Sequence, residues 1–226
     1  SVFVIFHATL MNAISAQAIR SISIFETQNL SNTAWALATC AVLDLPLFAS
    51  ISAASIQMID ECSPQDLGNT AWAFASVGIR DLPLMQALSS AAVRRISEFE
   101  AQGLSNTSWS LATIAVADEP LFEAMAAAAL SRITAFGAQE LSNTAWSLAT
   151  LEYLYLPLIH AISSPALHTI AETKSQHVAN LAWAFAKLGL VDVTLLDALA
   201  SRACVMLGQA SGQDLANTAW SFAALS

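Results

Sequence analysis

The sequence predicts an all-α fold, an α-solenoid of paired-helix repeats with a 37-residue period, and three features point to it. Six tryptophans, Trp35, Trp72, Trp109, Trp146, Trp183 and Trp220, fall 37 residues apart. Three further columns keep that beat: Gln28, Gln65, Gln102, Gln139, Gln176 and Gln213; Asn32, Asn69, Asn106, Asn143, Asn180 and Asn217; Ala38, Ala75, Ala112, Ala149, Ala186 and Ala223. A second block runs in step, with Pro46, Pro83, Pro120 and Pro157, then Thr194 in the fifth copy, each followed by a leucine. A fixed period of this size is the mark of small units that bury their apolar faces only by stacking.

Both halves of the unit read as helix, because apolar residues recur three and four apart rather than alternating. Residues 1–19 carry no formal charge, yet they keep the repeat frame: Ser1–Ala8 match the end of a helix A, and Thr9 lies 37 before Pro46. With His7, Asn12 and Gln17 among them, they read as solenoid rather than as a membrane span or signal segment. Helix B is expected to start near residues 45–46 of its copy. Asp44, Asp81, Asp118 and Asp192 stand two residues ahead of the Pro column, and Asp caps a helix whose first turn tolerates proline. Ser63, Pro64 and Asp66 form a similar start for the helix A that carries Trp72. Gly78 and Gly189 fall where helix A should end in a left-handed residue. Residues 1–226 are therefore expected to be a single repeat array of about six units, and, since no polar capping repeat closes either end, part of a longer solenoid.

Composition suits such a stack: 56% of residues are hydrophobic and 11% charged. Cys40, Cys62 and Cys204 lack metal-ligand spacing, and Cys40 falls in an aliphatic column, so a reducing compartment is expected. His7, His160, His168 and His177 form no metal motif. No GxSxG string, recurrent carboxylate pair or phosphate-cradling loop occurs, and seven glycines leave little material for one. The sequence therefore predicts no enzyme, no cofactor, no metal, no small-molecule substrate and no membrane association.

The function must lie on the surface of helix A. Its side away from helix B carries a polar comb. Asn32, Asn69, Asn106, Asn143, Asn180 and Asn217 lie near its centre, either as an amide ladder between repeats or as strand-contacting groups. Two flanking columns vary: Asn29, Asp66, Gly103, Glu140, His177 and Asp214; and Thr39, Ser76, Thr113, Thr150 and Lys187. If the array reads a base sequence, discrimination belongs to these, because an invariant residue cannot distinguish bases. The Trp column is read as packing anchors between A helices, and the Gln column as groups that satisfy free helix-start backbone.

Helices reading LSNTAWALAT, LGNTAWAFAS, LSNTSWSLAT, LSNTAWSLAT and LANTAWSFAA resemble the heptatricopeptide and octotricopeptide repeats of organellar RNA-binding proteins, often accompanied by a RAP domain. They are also similar to the helical-repeat subunits of the mitochondrial RNA-editing substrate-binding complex. The likeness spans essentially the whole chain, although the fifth copy reads Val178-Ala179-Asn180-Leu181-Ala182-Trp183 and no RAP domain is present. The resemblance implies binding of single-stranded RNA, RNA processing in mitochondria or plastids, and protein partners within a ribonucleoprotein complex.

Charge runs against a polyanion. The chain has 8 basic and 17 acidic residues, a net charge of −9 and a pI near 4.6, whereas RNA binding usually draws on Lys and Arg. Arg20, Arg94, Arg95, Arg132 and Arg202 belong to helix B; Arg94, Arg95 and Arg132 lie close in the repeat frame as a candidate strip. The rival expectation is a protein–protein interaction scaffold holding a basic peptide or helix along its concave face.

Overall fold

The structure is a computed structural model that describes the backbone of residues 2–225 and the side chains of residues 9–225. Among the described residues it is all helix, with no strand. It divides into two units, residues 1–95 and 96–226. The first holds α1 (Val2–Ser21), α2 (Thr27–Thr39), α3 (Leu45–Gln57), α4 (Pro64–Ser76) and α5 (Leu82–Arg94). The second holds α6 (Ala101–Thr113), α7 (Glu119–Ser131), α8 (Ala138–Thr150), α9 (Leu156–Thr169), α10 (Ser175–Lys187), α11 (Val193–Met206) and α12 (Gly212–Ala224).

Within each unit the A helices form one layer and the B helices the other. In the first unit α2 packs on α4, while α3 packs on α1 and α5; in the second α6, α8, α10 and α12 lie side by side over α7, α9 and α11. The A helices approach closely because the residues between them are small. Ser31 and Ala34 in α2, Ser105 and Ser108 in α6, and Ser142 and Ala145 in α8 are all buried. Leu47, Phe48 and Ile51 of α3 are buried with Leu30 and Leu37 of α2, each such side chain contributing about 1.5–3 kcal/mol of transfer free energy. Phe48 meets Phe74 edge-on at 5.0 Å.

Helix boundaries follow the expected chemistry. Asp44, Asp81, Asp118 and Asp192 each accept a hydrogen bond from the backbone N–H of the leucine three residues on. Ser63 and Asp66 form a capping box at the start of α4. Gly78 and Gly189 have φ of 73° and 66°. The same column holds Ala41, Ala115 and Glu152, left-handed at 52°, 53° and 54°. In all five the next residue donates back to the helix, as in Val42 N–H to Leu37 O and Leu190 N–H to Phe185 O at 2.9 Å.

One expectation is corrected. Residues 2–8 do not end a separate helix A; α1 runs unbroken over Val2–Ser21, and Ser1 lies outside the described residues. The positions corresponding to Asp44 and Pro46 are occupied by His7 and Thr9, so the cap and the proline that start helix B elsewhere are missing. The His7 side chain lies outside the described residues. No described helix is long and apolar enough to cross a membrane.

Candidate nucleic-acid interface

Within each unit the A helices present the comb side by side. Their register is set at the indoles: Trp35 and Trp72 lie 6.5 Å apart at 37° in the first unit. In the second, Trp109, Trp146, Trp183 and Trp220 follow one another at 6.4 Å and 34–38°. Each ring thus leans on the next, which fixes the spacing of whatever the helices display.

The Gln column is exposed from Gln28 to Gln213, and the Asn column is half-buried beside it except for exposed Asn32. Between α2 and α4 these residues line a niche of about 240 Å³ formed by Gln28, Asn32, Ser63, Gln65, Asp66 and Asn69. Four of the six are amides, each offering both a donor and an acceptor, which is the pattern that matches base edges. In α12 of the second unit Gln213 Nε2 donates to Asn217 Oδ1 at 2.8 Å. Helix-start backbone is satisfied at the cap and third positions, and the glutamines point to solvent instead.

The column of Asn29 does different work from the Asn32 column. Asn29 accepts from Glu26 N–H at 3.0 Å, and His177 Nδ1 from Lys174 N–H at 3.4 Å. Asp66 goes further. It accepts from Ser63 N–H and Oγ, and also from Ser31 Oγ at 2.7 Å and Thr27 Oγ1 at 3.2 Å on the preceding A helix. Asp214 repeats the device with Ser211 N–H and with Ser175 Oγ at 2.9 Å. Burial alone would raise the Asp66 carboxyl; the hydrogen bonds from Ser31, Ser63 and Thr27 outweigh it and hold the group below its ordinary value. Asp214 is lowered in the same way, burial opposed by Ser211 and Ser175. His177 is pushed down by burial and by the Lys174 charge, against a smaller opposing pull from Glu140. Glu140 is half-buried at the same place in α8. Asp66 and Asp214 thus latch one repeat to the one before it. The pairing is invisible in any one repeat, since donor and acceptor stand 35 and 39 residues apart.

The third column is outward but partly engaged. Ser76 and Thr113 are exposed. Thr39 Oγ1 donates to Trp35 O at 2.8 Å, Lys187 pairs with Glu152 at 2.9 Å, and the Thr150 hydroxyl is buried.

The basic residues form no free strip. Arg94 pairs with Asp60 at 2.5 Å. Arg95 donates to the Cys62 carbonyl, Arg132 to those of Phe99 and Ser97 at 2.6 and 2.5 Å, and Arg202 to those of Ala171 and Thr173 at 2.9 and 3.2 Å. Cys62, Phe99 and Thr173 occupy one column, the loop that leads into helix A. Guanidinium groups of the B helices thus brace that loop, a role with no sequence signature because any carbonyl serves as acceptor. Cys62 is buried, and its thiol is raised to about 11, by burial first and then by Asp66 and Glu61. No metal-holding cluster occurs among the described residues.

Paired helices, tied to their neighbours by latches and indoles and displaying a regular row of amides, define a helical-repeat protein. The chain belongs to the family described as RNA-editing substrate-binding complex 6 protein, which it matches over residues 2–226. No curated protein matches it significantly. Among solved structures it is similar to a designed armadillo repeat protein in complex with the peptide (KR)4, at 16% identity and a TM-score of 0.48, over 93% of this chain and 98% of that one.

Proposed function

We propose that the amide face of the A helices holds single-stranded RNA without catalysing its conversion, as one component of the mitochondrial RNA-editing machinery. The observation that carries this is the niche between α2 and α4, where Gln28, Asn32, Gln65 and Asn69 converge, in a chain of an RNA-editing family. The likeness of the LxNxxW helices to heptatricopeptide and octotricopeptide repeats points the same way. With Asp66 and Asp214 engaged in latching and His177 in the cap of its own helix, the Asn column and the exposed residues Ser76 and Thr113 are the groups left to meet bases. Exchange of Asn106 and Asn143 for alanine together is expected to weaken binding of a labelled single-stranded RNA by about tenfold, at unchanged melting temperature. An equal RNA affinity, or a loss of stability that accounts for the defect, refutes the assignment and makes the column an amide ladder.

The second function, a scaffold for a basic protein segment, is favoured by the net charge of −9 and by the engagement of Arg94, Arg95, Arg132 and Arg202 in holding the fold. Absence of any RNA complex at low salt selects it over RNA binding.

A further inference from the structure

The chain's two tyrosines both depart from the repeat, and they do so at one loop. Tyr153 stands in a column otherwise aliphatic (Val42, Ile79, Val116, Leu190), and Tyr155 in the column of the capping aspartates Asp44, Asp81, Asp118 and Asp192. Tyr155 gives α9 no side-chain cap. A second interaction is given up with it. Ser52 donates to Asp81 at 2.6 Å and Ser163 to Asp192, but the residue that stands in the same relation to Tyr155 is Ala126. Donor and acceptor have therefore been replaced together. A cap of this kind is worth about 1 kcal/mol, and local rules surrendered in this way mark positions selected for something other than stability.

What replaces them is an ordered aromatic surface. Tyr155 N–H donates to Tyr153 O at 3.1 Å, a tight turn that sets the two rings parallel, 6.5 Å apart at 5°. Tyr153 rests on Phe122 of α7, at 6.1 Å. Leu154 and Leu156, 53% and 41% exposed, flank the rings. Glu119 and Glu123 of α7 are exposed and close enough that their charges, after burial, raise the Tyr153 phenol. Lys187, which reaches the same loop, is paired with Glu152. Tyrosine faces beside unpaired carboxylates suit a guanidinium, which stacks on the ring while its edge bonds a carboxylate. The same carboxylates repel phosphate.

We propose that Tyr153 and Tyr155, with Glu119 and Glu123, form a docking surface for an arginine-bearing segment of a protein partner, separate from the amide face of the A helices. Independently of the RNA assignment, fluorescence anisotropy of the 226-residue chain tests it with a labelled oligo-arginine peptide, an oligo-lysine peptide of equal length and an oligo-uridine strand. The wild-type chain is expected to prefer the arginine peptide. Tyr153→Leu with Tyr155→Asn takes an aliphatic residue from the same column and a neutral capping residue, so the fold is retained or strengthened. This pair of substitutions is expected to weaken the arginine peptide by about tenfold and abolish its preference over lysine. Glu119→Gln with Glu123→Gln, at exposed positions, is expected to weaken both peptides. Retention of arginine-peptide affinity within about twofold in either variant overturns the proposal. So does a Tyr-variant defect confined to the oligo-uridine strand.

Discussion

Asp66 is the most heavily engaged carboxylate among the described residues, and its removal is a quantitative test of the latch. In Asp66→Ala four donated hydrogen bonds disappear. Thr27 and Ser63 are only half-buried and regain water, so their losses are small. Ser31 is 1% exposed, but its hydroxyl also reaches Gln28 O at 3.2 Å and is not orphaned. What remains is chiefly one buried charge-assisted bond, about 1.5–3 kcal/mol, since the cap that Ser63 Oγ gives the backbone N–H of residue 66 survives. Urea unfolding should show this as a lower midpoint at unchanged slope. A double-mutant cycle with Ser31→Ala should assign about 1–2 kcal/mol to the pair. The pH dependence follows from the depressed carboxyl. The unfolded chain takes up the proton first, so the Asp66 contribution is complete above its ordinary value of 3.8 and is lost as pH falls through the lower folded value. The variant should lack that acid-side loss. A destabilisation under about 1 kcal/mol, or an unchanged acid profile, refutes the latch.

His177 gives a second titration. Its folded pKa lies below 6.5, so the unfolded chain binds protons more readily, and stability is expected to fall as pH drops from about 7 toward 5. His177→Asn, which places at this position the residue that accepts from the cap in α2, should remove that slope in thermal melts run across the range. Ala41 is exposed and left-handed, at φ 52°; Ala41→Gly should raise stability by about 1 kcal/mol in chemical denaturation, whereas a loss would show that its conformation is unstrained.

The starts of the B helices and the glycine ends were legible because each rests on one residue acting on its own backbone: Asp44 on Leu47 N–H, Gly78 on its own φ. The all-helical repeat was legible from the period itself. The left-handed Ala41, Ala115 and Glu152 were not, since the hydrogen bonds of the helix end impose a conformation that their side chains do not advertise. The Asn29 column looked like a set of reading heads because it varies. At two of its positions the residue matches the preceding repeat, Asp66 facing Thr27 and Ser31, and Asp214 facing Ser175, a pairing that no single repeat displays. The basic strip dissolved for a similar reason: Arg132 is long enough to reach carbonyls of a loop more than thirty positions away in sequence.

The latch also writes a grammar into the chain. Asp214 bonds the serine that begins its predecessor, Ser175, where α8 has Ala138; Asp66 bonds both Thr27 and Ser31, of which a predecessor such as α6, with Ala101 and Ser105, would supply only the second. Modules that look interchangeable by their tryptophans therefore differ at their seams, where a few hydroxyls decide how many bonds each junction makes.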